Sequence, residues 1–318
     1  MLFLICWRAQ TQGGCCGMKT VQPISGRRLG ELARLLEERG IDNSDFQTYL
    51  VQQPNELVAY IKDLKAINPF ESEKVGSEWS YDHWVIPDMD FQANCLREII
   101  PGFAPKYWRP TAIGYDPGTY DGIALIPTVL SLGLLWSIYK PHGEGYGQVF
   151  EKLAKLLEEK KNIKNGLRGQ LGPKNIRLHK EVVDVLLPLE EDALRSGCNC
   201  LVLPLSFGKK YAGYSSRNCR KEALKRDELP FNSTQGSCLL MSMSDRLSEE
   251  WHLTADWPGD CYDRHDYAER WKCMTYHYFE KGQIHFHASG DNVPNGRCGP
   301  VVGFPLIPPA GLQSAYRI

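Results

Sequence analysis

The chain reads as an α+β protein: an N-terminal helical subdomain, a mixed region, and a C-terminal, mainly antiparallel sheet with helices. Three observations predict this. Apolar residues recur at helical spacing early in the chain, as at Leu29, Leu32 and Leu36. The stretch Cys273 to Asp291 holds two apolar-aromatic runs on either side of Glu280-Lys281-Gly282, the pattern of a β-hairpin whose glycine supplies positive φ. Helices come first and strands later, with no internal repeat, which is the order of an α+β chain.

Taken in order, residues 1–17 are too poor in apolar surface to offset the entropy of ordering and are expected to form a disordered tail, with Met18 as an alternative start. Residues 18–67 form the helical subdomain. Gly40 sits where a C-terminal cap belongs, Ser44 suits an N-cap, and Pro54 fits a first helical turn. Residues 68–195 make the α+β middle region. Here Val149 to Lys161 is the clearest helix, with Val149, Phe150, Leu153, Leu156 and Leu157 on one face and Glu151 four residues before Lys155. Glycines and a proline mark 162–180 as a linker or long loop, followed by a helix from His179 to about Leu187. Residues 196–318 form the C-terminal domain: a strand at Asn199 to Leu205, helices at Arg217 to Arg226 and Ser233 to Met243, a strand around Trp251 to Ala255, and the hairpin.

The bulk numbers exclude several classes. A chain of 318 residues with 42% hydrophobic and 24% charged content is neither globally disordered nor collagen-like. A net charge of −1 argues against a whole-protein footprint on nucleic acid, so any such role needs a local patch. Eleven cysteines, with no pair of CxxC knuckles, do not build a zinc ribbon, and an odd count without a secretory signal points to reduced thiols in the cytoplasm. Gly122 to Tyr139 is uncharged and near the minimum length of a membrane span, but Pro127 divides it, so it is expected to be buried in a soluble core.

Chemistry-bearing residues concentrate near the hairpin. His285 and His287 share one strand face, because side chains alternate with period two. With a three-residue turn His277 joins that face; with a two-residue turn the register slips and His277 points the other way. Asp263 lies just upstream. Imidazoles with carboxylates suit a divalent transition metal such as zinc or manganese, which can activate water for hydrolysis. A half-exposed sheet face carrying Tyr and His accounts for the same residues without a metal. Two basic runs, Lys160 to Lys180 and Lys209 to Arg226, offer phosphate contacts, the second through Lys209, Lys210, Arg217, Arg220 and Lys221, with Tyr211 and Tyr214 available for stacking on bases. Acidic residues follow each run and neutralise it locally. The glycines of Lys140 to Gly147 precede a helix but match no phosphate-binding fingerprint, and read as a loop.

Ile284-His-Phe-His-Ala288 resembles the His-hydrophobic-His strand of nickase- and replication-initiator-type nucleases, in which the two histidines hold a divalent metal beside a tyrosine. That resemblance spans five residues and names no family for the whole chain. It implies His285 and His287 as ligands, with His277 or Asp263 completing the set.

No GxSxG or catalytic cysteine frame occurs. The leading expectation is therefore a non-catalytic module without a cofactor that binds a protein or a small ligand, nucleic acid being the less favoured partner and a membrane not expected. The alternative is a metal-dependent hydrolase, acting as a phosphodiesterase or nuclease through the hairpin cluster.

Overall fold

The computed structural model describes residues 68–81, 84–109, 119–167, 170–264 and 270–305. The expected tail and the helical subdomain of residues 1–67 lie outside the described residues. The described chain is α+β, with two sheets sharing one hydrophobic core. The first sheet has the order β1-β4-β10-β5, from β1 (Gly122–Pro127), β4 (Cys200–Ser206), β5 (Leu229–Pro230) and β10 (Val302–Gly303). The second runs β2-β8-β7-β6-β3, from β2 (Lys164–Asn165), β3 (Ile176–Leu178), β6 (Thr254–Tyr262), β7 (Cys273–Glu280) and β8 (Gln283–Gly290); β9 (Cys298–Pro300) also pairs with β6.

Helix α1 (Met89–Ile99) opens on an Asp88 cap whose carboxylate accepts from the Phe91 amide at 2.9 Å. Its Gln92 is fully buried and treats the free edge of β1 as a strand would. The amide nitrogen donates to the Ile123 carbonyl at 2.9 Å, and the amide oxygen accepts from the Leu125 N–H at 2.8 Å. An edge strand otherwise presents such groups unpaired.

The uncharged stretch 122–139 becomes β1 followed by the short helix α2 (Val129–Leu135). Pro127 ends the strand, and Thr128 caps the helix by accepting from the Ser131 N–H at 3.0 Å. No helix among the described residues is long and apolar enough to cross a membrane. Helix α3 (Tyr146–Lys161) buries Val149, Phe150, Leu153 and Leu157 and places Glu151 3.1 Å from Lys155. Gly147, on its first turn, lies against the backbone of Gly172 and Pro173, where a Cβ would come within 2.3 Å. The glycine there serves helix packing.

The expected linker at 162–180 is instead part of the second sheet. β2 pairs in parallel with β8, and β3 antiparallel with β6, while Ile163 and Ile176 are buried. Glycines and basic residues concealed two strands too short to show a period. The helix expected from His179 is α4 (Lys180–Arg195), which continues past Leu187 through Pro188. An expected division near residue 196 is not visible: β1 from before it and β4 from after it pair along six registered positions.

Helix α5 (Ser216–Lys225) is capped by Ser215. Helix α6 (Ser233–Met243) has the bounds the sequence predicts and is buried nearly all round. An uncharged helix buried on nearly every side belongs in a core, and α6 contacts α1, α3, β1 and β6. The strand expected near Trp251 starts later, at Thr254, and runs to Tyr262.

Replacing Gln92 by Met keeps the volume and removes both edge hydrogen bonds. This should lower stability by about 2–3 kcal/mol, since a buried N–H and a buried carbonyl lose their partners. A denaturant midpoint within error of the parent would show that the edge is satisfied another way.

Candidate functional site

The hairpin has a two-residue turn. Glu280 pairs with Gln283, and Lys281 and Gly282 have φ of 51° and 77°, the positive pair a type I′ turn requires. Of the two registers open in the sequence, this one turns His277 away from His285 and His287. Across the ladder His277 faces Phe286, Tyr278 faces His285, and Tyr276 faces His287.

On the inner face His277 is buried, and its ring accepts at Nδ1 from Trp257 Nε1–H at 2.8 Å. Burial pushes its pKa down to about 3, so the imidazole is neutral with its proton on Nε2. The inner face closes over a narrow cavity where Ser237, His277, Lys164 and Asn165 meet Phe150, Leu157 and Phe286.

The outer face carries half-buried Tyr276, Tyr278, His285 and His287. The Tyr278 and His285 rings stack with centroids 5.3 Å apart and planes at 27°. Tyr276 lies 5.8 Å from the His287 ring and 5.6 Å from Tyr278. These contacts join all four rings into one continuous patch.

Asp263 does not complete a ligand set. It is buried, and its carboxylate accepts from Arg270 Nε at 2.8 Å. With His277 inward and Asp263 held elsewhere, the three histidines and this aspartate do not converge on one point. Among the described residues no group of three His, Cys, Asp or Glu side chains is placed to share a metal ion.

Four of the five basic candidates are taken up by carboxylates. Lys210 pairs with Glu228, Lys221 with Glu181, and Arg217 with Glu73 at 2.8 Å from Nε. The hydrogen bond from Arg217 holds the Glu73 carboxyl below its usual range. Buried Arg220 donates to Glu181 at 2.7 Å, to the Pro258 carbonyl at 3.0 Å and to Asp291 at 3.5 Å. Arg217, Arg220 and Lys221 tie α5 to its neighbours. Lys209 differs: it is exposed, with Nζ 5.4 Å from the Tyr81 ring centroid.

Sequence reasoning missed two buried ionisable groups beside these residues. Asp256 on β6 faces Tyr276 and contacts the Cys298 thiol, and its Oδ1 has no hydrogen-bond partner. Burial pushes its pKa up to about 8. Arg246, in the 3₁₀ turn after α6, is fully enclosed. A carboxylate within an apolar-aromatic strand, and an arginine directly after an uncharged helix, were the available signals. No protein-family model, curated protein or solved structure matches this chain.

Asp256 makes stability pH-dependent. Its folded pKa of about 8 lies above the ordinary 3.8, so the folded state binds the extra proton. The stability this confers is complete below the unfolded value and is lost as pH rises through the folded one. Between about pH 4 and pH 8 the parent should lose stability relative to Asp256→Asn, on the order of 1 kcal/mol per pH unit. Urea unfolding across that range checks this, and parallel profiles for the two proteins would contradict it.

Proposed function

We propose that this protein is a non-catalytic binding module that engages its partner through the outer face of the β7–β8 hairpin. The observation that carries the reading is the half-exposed patch of Tyr276, Tyr278, His285 and His287. Tyrosine and histidine rings present apolar area and a polar tip at small conformational cost, which is why such residues favour interfaces. Pairing of Thr275, Tyr276 and His277 to β6, and of part of β8 to β2, holds the rings on a firm floor. The partner this surface suits presents a planar or apolar edge that can lie on the rings.

The hydrolase alternative has less support. It needs a third ligand beside His285 and His287, and the residues nominated for that role lie inward or are already paired.

Chemical-shift mapping on the full chain tests the reading, with tryptophan amide, adenosine and a short oligothymidylate as probes. At least one should perturb the hairpin signals in a saturable way. Combining Tyr278→Ala with His285→Ala should weaken that binding by tenfold or more, about 1.4 kcal/mol or greater, while the melting temperature moves little because both side chains are half-exposed. Perturbations confined to other parts of the fold, or binding unchanged in the double variant, would remove the hairpin from consideration. Metal-dependent hydrolysis lost on replacing His285 and His287 would favour the alternative.

A further inference from the structure

A second place in the molecule collects hydrogen-bond donors without matching acceptors. Arg246 is fully buried and follows α6 in the turn Ser244–Leu247. Its guanidinium carbon lies 3.5 Å from the Tyr81 ring centroid and 5.2 Å from that of Phe207. Only Nη2 makes an evident donation to the backbone, to the Phe207 carbonyl at 3.0 Å; Nε and Nη1 are enclosed without a hydrogen-bond partner.

The Trp84 indole stands against the same two rings, with centroids 5.9 Å from Tyr81 and 5.6 Å from Phe207, and its Nε1–H is likewise enclosed and unpartnered. Unlike Arg246, Trp84 is only partly buried, so part of its indole reaches the surface while Nε1 does not. Lys209 adds an exposed ammonium over the Tyr81 ring. The nearby acceptor, Asp121, is engaged: its Oδ2 accepts from the Tyr81 hydroxyl and from the Phe207 N–H, each at 2.7 Å.

The Tyr81 oxygen and the Asp121 carboxylate support the guanidinium charge, but its Nε and Nη1 and the indole N–H still lack a hydrogen-bond acceptor, which is unfavourable. We propose that Arg246, Trp84 and Lys209 form a binding site for a carboxylate group. The ring walls of Tyr81 and Phe207 flank the guanidinium and favour a planar anion over a tetrahedral one. Arg246 supplies the buried charge, Trp84 an enclosed neutral donor beside it, and the exposed Lys209 long-range attraction. The carboxylate comes either from a small organic acid or from an acidic side chain of a peptide. This site is independent of the hairpin surface and does not rest on its role.

Calorimetric titration of the full chain tests the proposal, using acetate, benzoate, a glutamate-containing peptide and inorganic phosphate at constant ionic strength. Saturable binding of a carboxylate probe is expected. Benzoate or acetate binding identifies a free acid as the source, and peptide binding alone identifies a side chain. Trp84→Phe keeps a ring and removes one donor, so affinity should fall about three- to tenfold. Arg246→Lys keeps the charge but loses the planar set of donors and should weaken binding by about tenfold or more. Lys209→Gln should weaken it by less and flatten its salt dependence. Should Arg246→Lys fail to fold, Trp84→Phe and Lys209→Gln carry the test. The proposal is overturned if no carboxylate binds, if phosphate binds more tightly than every carboxylate, or if binding is unchanged in Trp84→Phe and Lys209→Gln.

Discussion

The fold depends on one buried carboxylate. Asp260 lies on β6, fully enclosed, and accepts from the Tyr146 hydroxyl at 2.6 Å, the Ser233 N–H at 2.7 Å and the Thr275 hydroxyl at 2.9 Å. Those donors belong to α3, α6 and β7, and its backbone position pairs with Leu178 of β3. Burial alone would keep this acid neutral, and even with three donors its pKa is raised to about 6. At neutral pH it is nonetheless ionised, directly at the positive end of the α6 dipole. The central helix therefore starts where it does because an anion on the neighbouring sheet receives its first amide. The Asn232–Gln235 capping box completes the same end.

A similar solution recurs across the core. Glu190, buried within α4, accepts from the Val129 and Leu130 amides at 2.9 Å each, closing the start of α2. His142 approaches the same carboxylate at 3.0 Å. Arg220 bridges Glu181 and Asp291 and holds a β6 carbonyl. Each group fixes the relative placement of elements that apolar packing alone would leave free to slide. Arg246 departs from the rule, since its donors outnumber its acceptors, and Asp256 departs from it too, with one oxygen unpartnered. They are not alone, since buried atoms of His142, Gln235 and Asp291 also lack partners, but Arg246 leaves two donors of a cationic group unmatched.

Long periodic segments were legible in the sequence. Helix α6 was bounded correctly, and α3 and the hairpin were placed, because many residues repeat one signal there. The two-residue strands β2 and β5 carry no period and could not be read. Strand β6 was recognised only at its start, since Pro258, Gly259 and Asp260 look like a turn until the partners that bury them are known. The site followed the same pattern. The shared face of His285 and His287 follows from strand geometry alone, whereas His277 depended on the turn, for which both lengths fitted the residues. The pairing of Arg217 with Glu73 spans 144 positions, and no local reading anticipates it.

The Gln92 amide has a consequence for assembly. By occupying the middle of the outer edge of β1, it leaves no contiguous row of backbone groups there for an incoming chain to zip onto. Growth of this sheet by strand addition, whether into a dimer or a fibril, is blocked on that side by one side chain.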